Sequence, residues 1–176
     1  MVGLERGTVE LREHDPAWTR RYEAEVERLQ SVAGDRLRAF EHVGSTAVEG
    51  LAAKPVIDLV GTVDSLDDAT DLVGVLESHG YEYRPNDEVP DRLFFARGPR
   101  SNRTHYLSIC ERESDTYREQ VAFRDYLREN PEAAAEYEAL KRDLADAHPD
   151  DRAAYTAGKS AFVERALQRA LDDFEG

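Results

Sequence analysis

Lysine is nearly absent from this 176-residue chain: of its 23 basic side chains, only Lys54, Lys141 and Lys159 are lysines. Cysteine is scarcer still, with Cys110 alone, which excludes a disulfide framework or a multi-cysteine zinc site within one chain. Cys110 has no base pattern near it and reads as a small core residue. No apolar run reaches the ~18 residues that a membrane span requires. Met1 to Gly7 carries no charged-then-apolar leader. These absences lead to the expectation of a cytoplasmic protein in a reducing setting, with no membrane partner. Excess positive charge is missing too. A net charge of −14 and a pI near 4.8 argue against a nucleic-acid backbone as the main partner. Acidic, lysine-poor and rich in arginine and alanine is the composition expected of a halophilic organism, where carboxylates keep the surface hydrated and salt screens their repulsion. A GC-rich genome with an acidic proteome accounts for it equally well.

What is present is enough for one well-buried domain. Asp15-Pro16 predicts a helix start, with Trp18, Tyr22, Val26 and Leu29 at helical spacing and Gly34 as its stop. Leu37 to Val43 and Val56 to Val63 read as strands. Leu66 to His79 reads as a helix capped by Gly80, followed by a short strand from Tyr81 to Arg84. Arg92 to Arg97 and Arg103 to Cys110 read as antiparallel strands joined by Gly98 to Asn102. From about residue 114 the chain is helical, with restart signals at Asn130-Pro131 and His148-Pro149 giving helices at about 115–129, 132–147 and 150–174. The expected class is α+β: a small mixed or antiparallel sheet covered by helices (core about 8–112), with a C-terminal helical layer in the same domain.

The chemistry is concentrated between Glu41 and Val60. Gly44-Ser45-Thr46 stands between a strand and a short helix, where free backbone N–H groups and a hydroxyl suit a phosphate. Gly-Ser-Thr also serves as an ordinary strand-to-helix turn with a hydroxyl cap. Asp58 sits inside an apolar strand, sharing a face with Val56 and Val60. A carboxylate there must be paired, metal-bound or at the strand's open end. It could hold a cation against a phosphate, or form a structural ion pair with Lys54 or an arginine.

Lys159 lies within the apolar stripe of the last helix, made of Tyr155, Phe162, Val163, Ala166, Leu167, Ala170 and Phe174. It either snorkels or points into a polar pocket, where a compact point charge suits a phosphate. Lys141 follows Tyr137 by four residues, as Lys159 follows Tyr155. His105 alternates with Arg103, Leu107 and Ile109 along its strand and could be a ligand, a base or a satisfied core histidine. His42 has the same ambiguity. Arg92, Arg97, Arg103 and Arg124 could bind an anion or answer nearby carboxylates.

The run His42-Val43-Gly44-Ser45-Thr46-Ala47-Val48, then Gly50-Leu51-Ala52-Ala53-Lys54-Pro55-Val56-Ile57-Asp58, strongly resembles the long motif of the GrpB family. So do Asp15-Pro16-Ala17-Trp18, Gly80-Tyr81, Arg103-Thr104-His105, Phe123 to Arg128, Tyr137 with Leu140-Lys141, and Tyr155 to Lys159. The resemblance implies a nucleotidyltransferase-type fold. Active nucleotidyltransferases hold two metal ions with paired acids; here Asp58 matches the first acid and Val60 replaces the second. Ser108 stands where many relatives carry a second histidine. GrpB-like domains also occur fused to dephospho-CoA kinase, which implies a nucleotide or CoA-related context.

Two functions remain open on these grounds. One is binding of a nucleotide or phosphorylated metabolite, with nucleotidyl transfer to a small molecule. Gly44, Ser45 and Thr46 would cradle phosphate, and Asp58, with Ser45, would act on the acceptor. Lys54, Lys141 and Lys159 would neutralise charge, with Arg103, His105 and Tyr155 on the pocket wall. Mg²⁺ would bind weakly through Asp58, assisted by the nucleotide. The other is a catalytically silent binding or folding-accessory module using the same pocket.

Overall fold

The computed structural model describes residues 2–175, with α5 side chains as far as Asp173; Met1, the first residue of the stretch read as leaderless, and the Phe174 side chain of the expected α5 stripe lie outside it. Helix α1 (Ala17–Ala33) starts where the Asp15 carboxylate accepts a 2.9 Å bond from the Ala17 N–H, and ends at Gly34 with φ +60°. Strands β1 (Phe40–Val43) and β2 (Ile57–Val63) follow, then α2 (Asp71–Glu77), β3 (Tyr81–Tyr83), β4 (Arg92–Arg97) and β5 (His105–Glu111). Three helices complete the chain: α3 (Asp115–Glu129), capped by the Ser114 hydroxyl, α4 (Pro131–Ala147) and α5 (Arg152–Glu175). No helix among the described residues is long and apolar enough to cross a membrane.

The sheet order is β1-β2-β5-β4-β3, parallel only between β2 and β5. β1 is shorter than the expected Leu37–Val43 because the chain enters through an irregular pairing, in which Arg38 and Ala39 N–H groups bond to the Thr62 carbonyl and hydroxyl. The expected Leu66–His79 helix is reduced to a 3₁₀ turn at Asp68–Thr70 followed by α2. The short helix expected after Gly44 is a single 3₁₀ turn, Ser45–Ala47. Such a turn carries little macrodipole, because few peptide units are aligned.

Strand alternation sorts the side chains onto two faces. Ile57, Leu59, Leu107, Ile109, Phe95 and Tyr81 pack beneath α1 and α2, with Trp18, Leu29, Leu72 and Leu76 completing this core. The opposite face presents Val43, Asp58, Val60, Tyr106, Ser108 and Cys110. Its Val43–Val60–Cys110 half is covered by Tyr117 and Val121 of α3. Val48 and Leu51, from the β1–β2 connection, join Leu127, Tyr137, Phe162 and Ala166 in a second core among α3, α4 and α5.

One carboxylate is buried beneath α1. Glu25, only 3% exposed, accepts hydrogen bonds from the Tyr81 hydroxyl at 2.6 Å, from Arg28 at 3.1 Å and from Arg97. These bonds replace the water that burial removes, and the Tyr81 phenol is pushed up by burial and by Glu25's charge. Removing one partner of such a set leaves the others unanswered. Glu25→Ala should therefore cost about 2–3 kcal/mol in chemical denaturation. Glu25→Gln should cost less, because its amide oxygen can still accept from Tyr81. Equal losses would show that the hydrogen bond contributes nothing beyond charge.

Candidate functional site

The connection between β1 and β2 carries the motif and has almost no regular structure, so its backbone groups need partners from elsewhere. The N-terminal segment supplies some, through the Gly3 N–H to the Pro55 carbonyl and a two-way Arg12–Ala53 pairing, and the C-terminal helices supply others. Arg128 donates two bonds to the Ala47 carbonyl, at 3.0 and 2.7 Å, and the Glu138 carboxylate accepts from the Ala52 N–H at 2.7 Å. Lys141, 2% exposed, donates to the Ser45 hydroxyl at 2.9 Å and to the Ala52 carbonyl at 2.6 Å, with its ammonium over the Tyr137 ring. Arg124 ties the loop's entry by donating to Glu41 at 2.6 Å and to the His42 carbonyl at 3.0 Å.

Asp58 emerges from β2 directly beside this loop. Gly44 has φ +74°, and a Cβ there would lie 2.5 Å from the Asp58 Oδ2. The glycine thus serves both a left-handed backbone and the close approach of the carboxylate. No hydrogen bond to the Asp58 side chain forms among the described residues; its surroundings are cationic instead. Burial raises its pKa to about 6, opposed by the charges of Lys54, Lys159, Arg152 and Arg92.

Lys54 and Lys159 lie over the buried Tyr155 ring, at 5.5 and 4.5 Å from its centroid. Burial pushes Lys159 down to about 8, with Lys54's charge adding to the shift and Asp58 opposing it; Lys54 is lowered by burial and then by Arg152. Lys141 is lowered to about 7 by burial and then by Lys159. Burial outweighs mutual attraction on both sides of this ion cluster. All three lysines of the chain thus converge with Ser45 and Asp58, two of them against the Tyr155 ring.

The donor set does not fit a two-metal centre. Val60, two residues after Asp58 on the same face, is fully buried against Val43, Cys110, Tyr117 and Val121. No group of three or more His, Cys, Asp or Glu side chains suited to a metal exists among the described residues. Asp58 is one carboxylate facing several cations, and those cations repel a divalent ion while attracting an anion.

Not every expected residue joins this cluster. His105 is corrected to the opposite sheet face, because its register partner is Ile57 whereas Asp58 pairs with Tyr106. It is a core histidine 3.9 Å from Glu25, bonded through Nδ1 to the Thr104 hydroxyl at 2.8 Å and pushed down to about 4 by burial, with Glu25 pulling the other way. Its alternation with Leu107 and Ile109 was the available signal. Arg103 is also corrected: it is held by the Gly98 carbonyl and Glu82, at the β3 side of the sheet.

The Thr46 hydroxyl pairs with His42 Nε2 at 3.0 Å, under the Tyr22 ring, and so turns away from Asp58. Behind the loop, a cavity of about 980 Å³ is lined by Thr46, Val48, Leu51, Arg128 and Glu138, and Asp58 and the lysines do not line it. Sequence reading missed Arg152, Arg128 and Glu138. Arg152 sits three and seven residues before Tyr155 and Lys159, which was a helical-face signal.

A mixed five-stranded sheet with a Gly-Ser turn and a carboxylate on the next strand makes this a nucleotidyltransferase-like fold. The Cid1 poly(U) polymerase shares it, with a TM-score of 0.53 at 12% identity over 76% of this chain and 44% of that one. A family model described as GrpB protein matches residues 8–169, and the chain belongs to that family. The crystal structure of GrpB from Enterococcus faecalis superposes with a TM-score of 0.89 at 35% identity, covering 95% of this chain and 100% of that one. The glutamate-rich protein GrpB of Alkalihalophilus pseudofirmus is 34% identical over 95% of this chain and 98% of its own length. A dephospho-CoA kinase of Mycolicibacterium paratuberculosis is 31% identical over 96% of this chain, which covers 47% of that protein.

The Asp58 shift has a definite sign. Its folded pKa lies above the ordinary 3.8, so ionisation costs the fold stability above about pH 6, and protonation recovers it between about 6 and 4. Ligand-free Asp58→Asn should melt above wild type at pH 7.5, with the gap closing as pH falls through that window. A lower melting temperature at pH 7.5 would mean that attraction to the lysines outweighs desolvation.

Proposed function

We propose that this protein binds a nucleotide or another phosphorylated small molecule on the face formed by Ser45, Lys54, Asp58, Tyr155 and Lys159. The observation that carries this reading is the convergence of every lysine in a lysine-poor chain on one carboxylate and one serine. Lys54 and Lys159 would meet the phosphate. Lys141 would hold the Ser45 hydroxyl in place, its own capacity being taken by Ser45 and Ala52. Gly44 would bring the chain close to the ligand, and Asp58 would orient a hydroxyl of the ligand or of an acceptor. The fold shared with a poly(U) polymerase and the relative named dephospho-CoA kinase support a nucleotide or CoA-related ligand.

The burial of Val60 favours binding without two-metal nucleotidyl transfer. The only magnesium this donor set would accept is one carried in by the ligand's own phosphates, with Asp58 as a single protein ligand. Restoring the missing acid should not create a metal centre. Val60→Asp would place a carboxylate among Val43, Cys110, Tyr117 and Val121, and should lower stability by at least about 2–3 kcal/mol. Tight divalent binding by a folded Val60→Asp variant would argue for a latent enzyme instead.

Thermal-shift titrations with nucleoside triphosphates and dephospho-CoA, each with and without Mg²⁺, test the main reading. A ligand at 100 times its Kd adds about 2.7 kcal/mol to apparent stability. Phosphorylated compounds should raise the melting temperature, and the parent nucleosides should not. Lys159→Met should leave the ligand-free fold at least as stable at pH 7, because a poorly solvated ammonium is gone. It should weaken phosphate binding on the order of tenfold. Unchanged affinity at both low and high salt would assign Lys159 to packing alone.

A further inference from the structure

A second group of cations lies on the same sheet face, where Glu82 is the carboxylate shared among them. Arg6, Arg84 and Arg100 line a cavity of about 700 Å³ together with Phe94 and the 85–89 loop. Among the described residues these three side chains form no hydrogen bond or ion pair, although the chain as a whole has 37 acidic residues against 23 basic ones. The nearby acids are mostly taken. Glu82 pairs with Arg103, and Asp87 holds Arg92 at 2.6 and 2.8 Å, leaving the exposed Glu88 as the remaining lining carboxylate. Arg103, 3% exposed, also keeps an unpartnered Nε. The guanidinium groups are close enough to act on one another, since Arg6 is lowered by Arg84, then by burial, Arg100 and Arg103, with Glu82 opposing them. Four arginines sharing Glu82 leave an excess of like charge, which a bound anion relieves.

The register connects this group to the lysine site. Asp58, Tyr106, Ala96 and Glu82 are cross-strand partners in one row across β2, β5, β4 and β3, all on one face. Three strand spacings separate the ends of the row, about 14 Å. Between them, Arg152 lies over the Tyr106 ring at 5.6 Å, Tyr106 stacks on Phe94 at 5.5 Å, and Phe94 lines the arginine cavity. This path remains partly exposed, because α3 covers only the β1 and β2 half and the neighbouring part of β5.

We propose that Arg6, Arg84 and Arg100 form a second anion subsite, which holds the far acidic group of the same ligand whose phosphate meets Lys54 and Lys159. The ligand is therefore an elongated molecule with two separate anionic groups, rather than a simple monophosphate. This rests on the phosphate-binding reading of the lysine site.

Calorimetry at low salt, with butyl phosphate and an alkanediol bisphosphate long enough to span the row, tests it. Wild type should bind one bisphosphate per chain, on the order of tenfold or more tighter than butyl phosphate, because the second contact is intramolecular. The double variant Arg84→Gln with Arg100→Gln should reduce bisphosphate affinity to that of butyl phosphate at the lysine site, without changing that site's butyl phosphate affinity or the melting temperature. Arg84→Lys with Arg100→Lys should retain most of the gain. Bisphosphate affinity unchanged in the Gln double variant, or two bisphosphates bound per chain, would overturn the second subsite. Lys159→Met should weaken both probes, and failure there would instead overturn the lysine-site reading.

Discussion

Everything at the candidate site depends on a buried ammonium. Lys141 reaches from α4 into the loop between β1 and β2, joining the Ser45 hydroxyl to the Ala52 carbonyl above the Tyr137 ring. That loop has one 3₁₀ turn and no other regular structure, so it cannot satisfy its own backbone. Lys141, Arg128 and Glu138 do so from one side and Gly3 and Arg12 from the other, and Val48 and Leu51 anchor it in the apolar core of the helices. The C-terminal helices are therefore part of the site's construction. The β1–β2 register sets Val43, and so Gly44, beside Asp58, and the helices hold Ser45 and the rest of the loop there.

The sign of charge at this site runs against the sign of the chain. Carboxylates dominate the surface, while Asp58 is surrounded by Lys54, Lys159 and Arg152. Asp58, Lys54 and Lys159 are each displaced toward the neutral form chiefly by burial, which marks a constellation poorly answered by the protein alone. Val60, two residues after Asp58 on the same face, is part of the packing beneath α3. The site keeps its cationic side and one carboxylate. That combination suits recognition of an anion better than coordination of a metal pair.

Much of the architecture was legible in the order of residues. Period-two and helical patterns, Asp15-Pro16, Asn130-Pro131 and the turn glycines mark most elements, because capping and turn chemistry act within a few residues. Lys54, Lys141 and Lys159 stood out through composition, and the spacing from Gly44-Ser45 to Asp58 identified the motif. The Asp58 strand also showed which neighbours share its face.

What the sequence by itself determined is therefore local: the elements, the motif loop, the family likeness and the identity of the unusual cations. Tertiary structure decided which of them meet. His105 and Asp58 lie on strands whose individual alternation is clear, yet only the register of β2 against β5 puts His105 with Ile57 and on the other face. Likewise, only the docking of α5 brings Arg152 over Tyr106, and only the sheet order puts Arg84 in the row next to that of Asp58. Register and docking are set by burial summed over many long-range contacts, so no short stretch of sequence carries them.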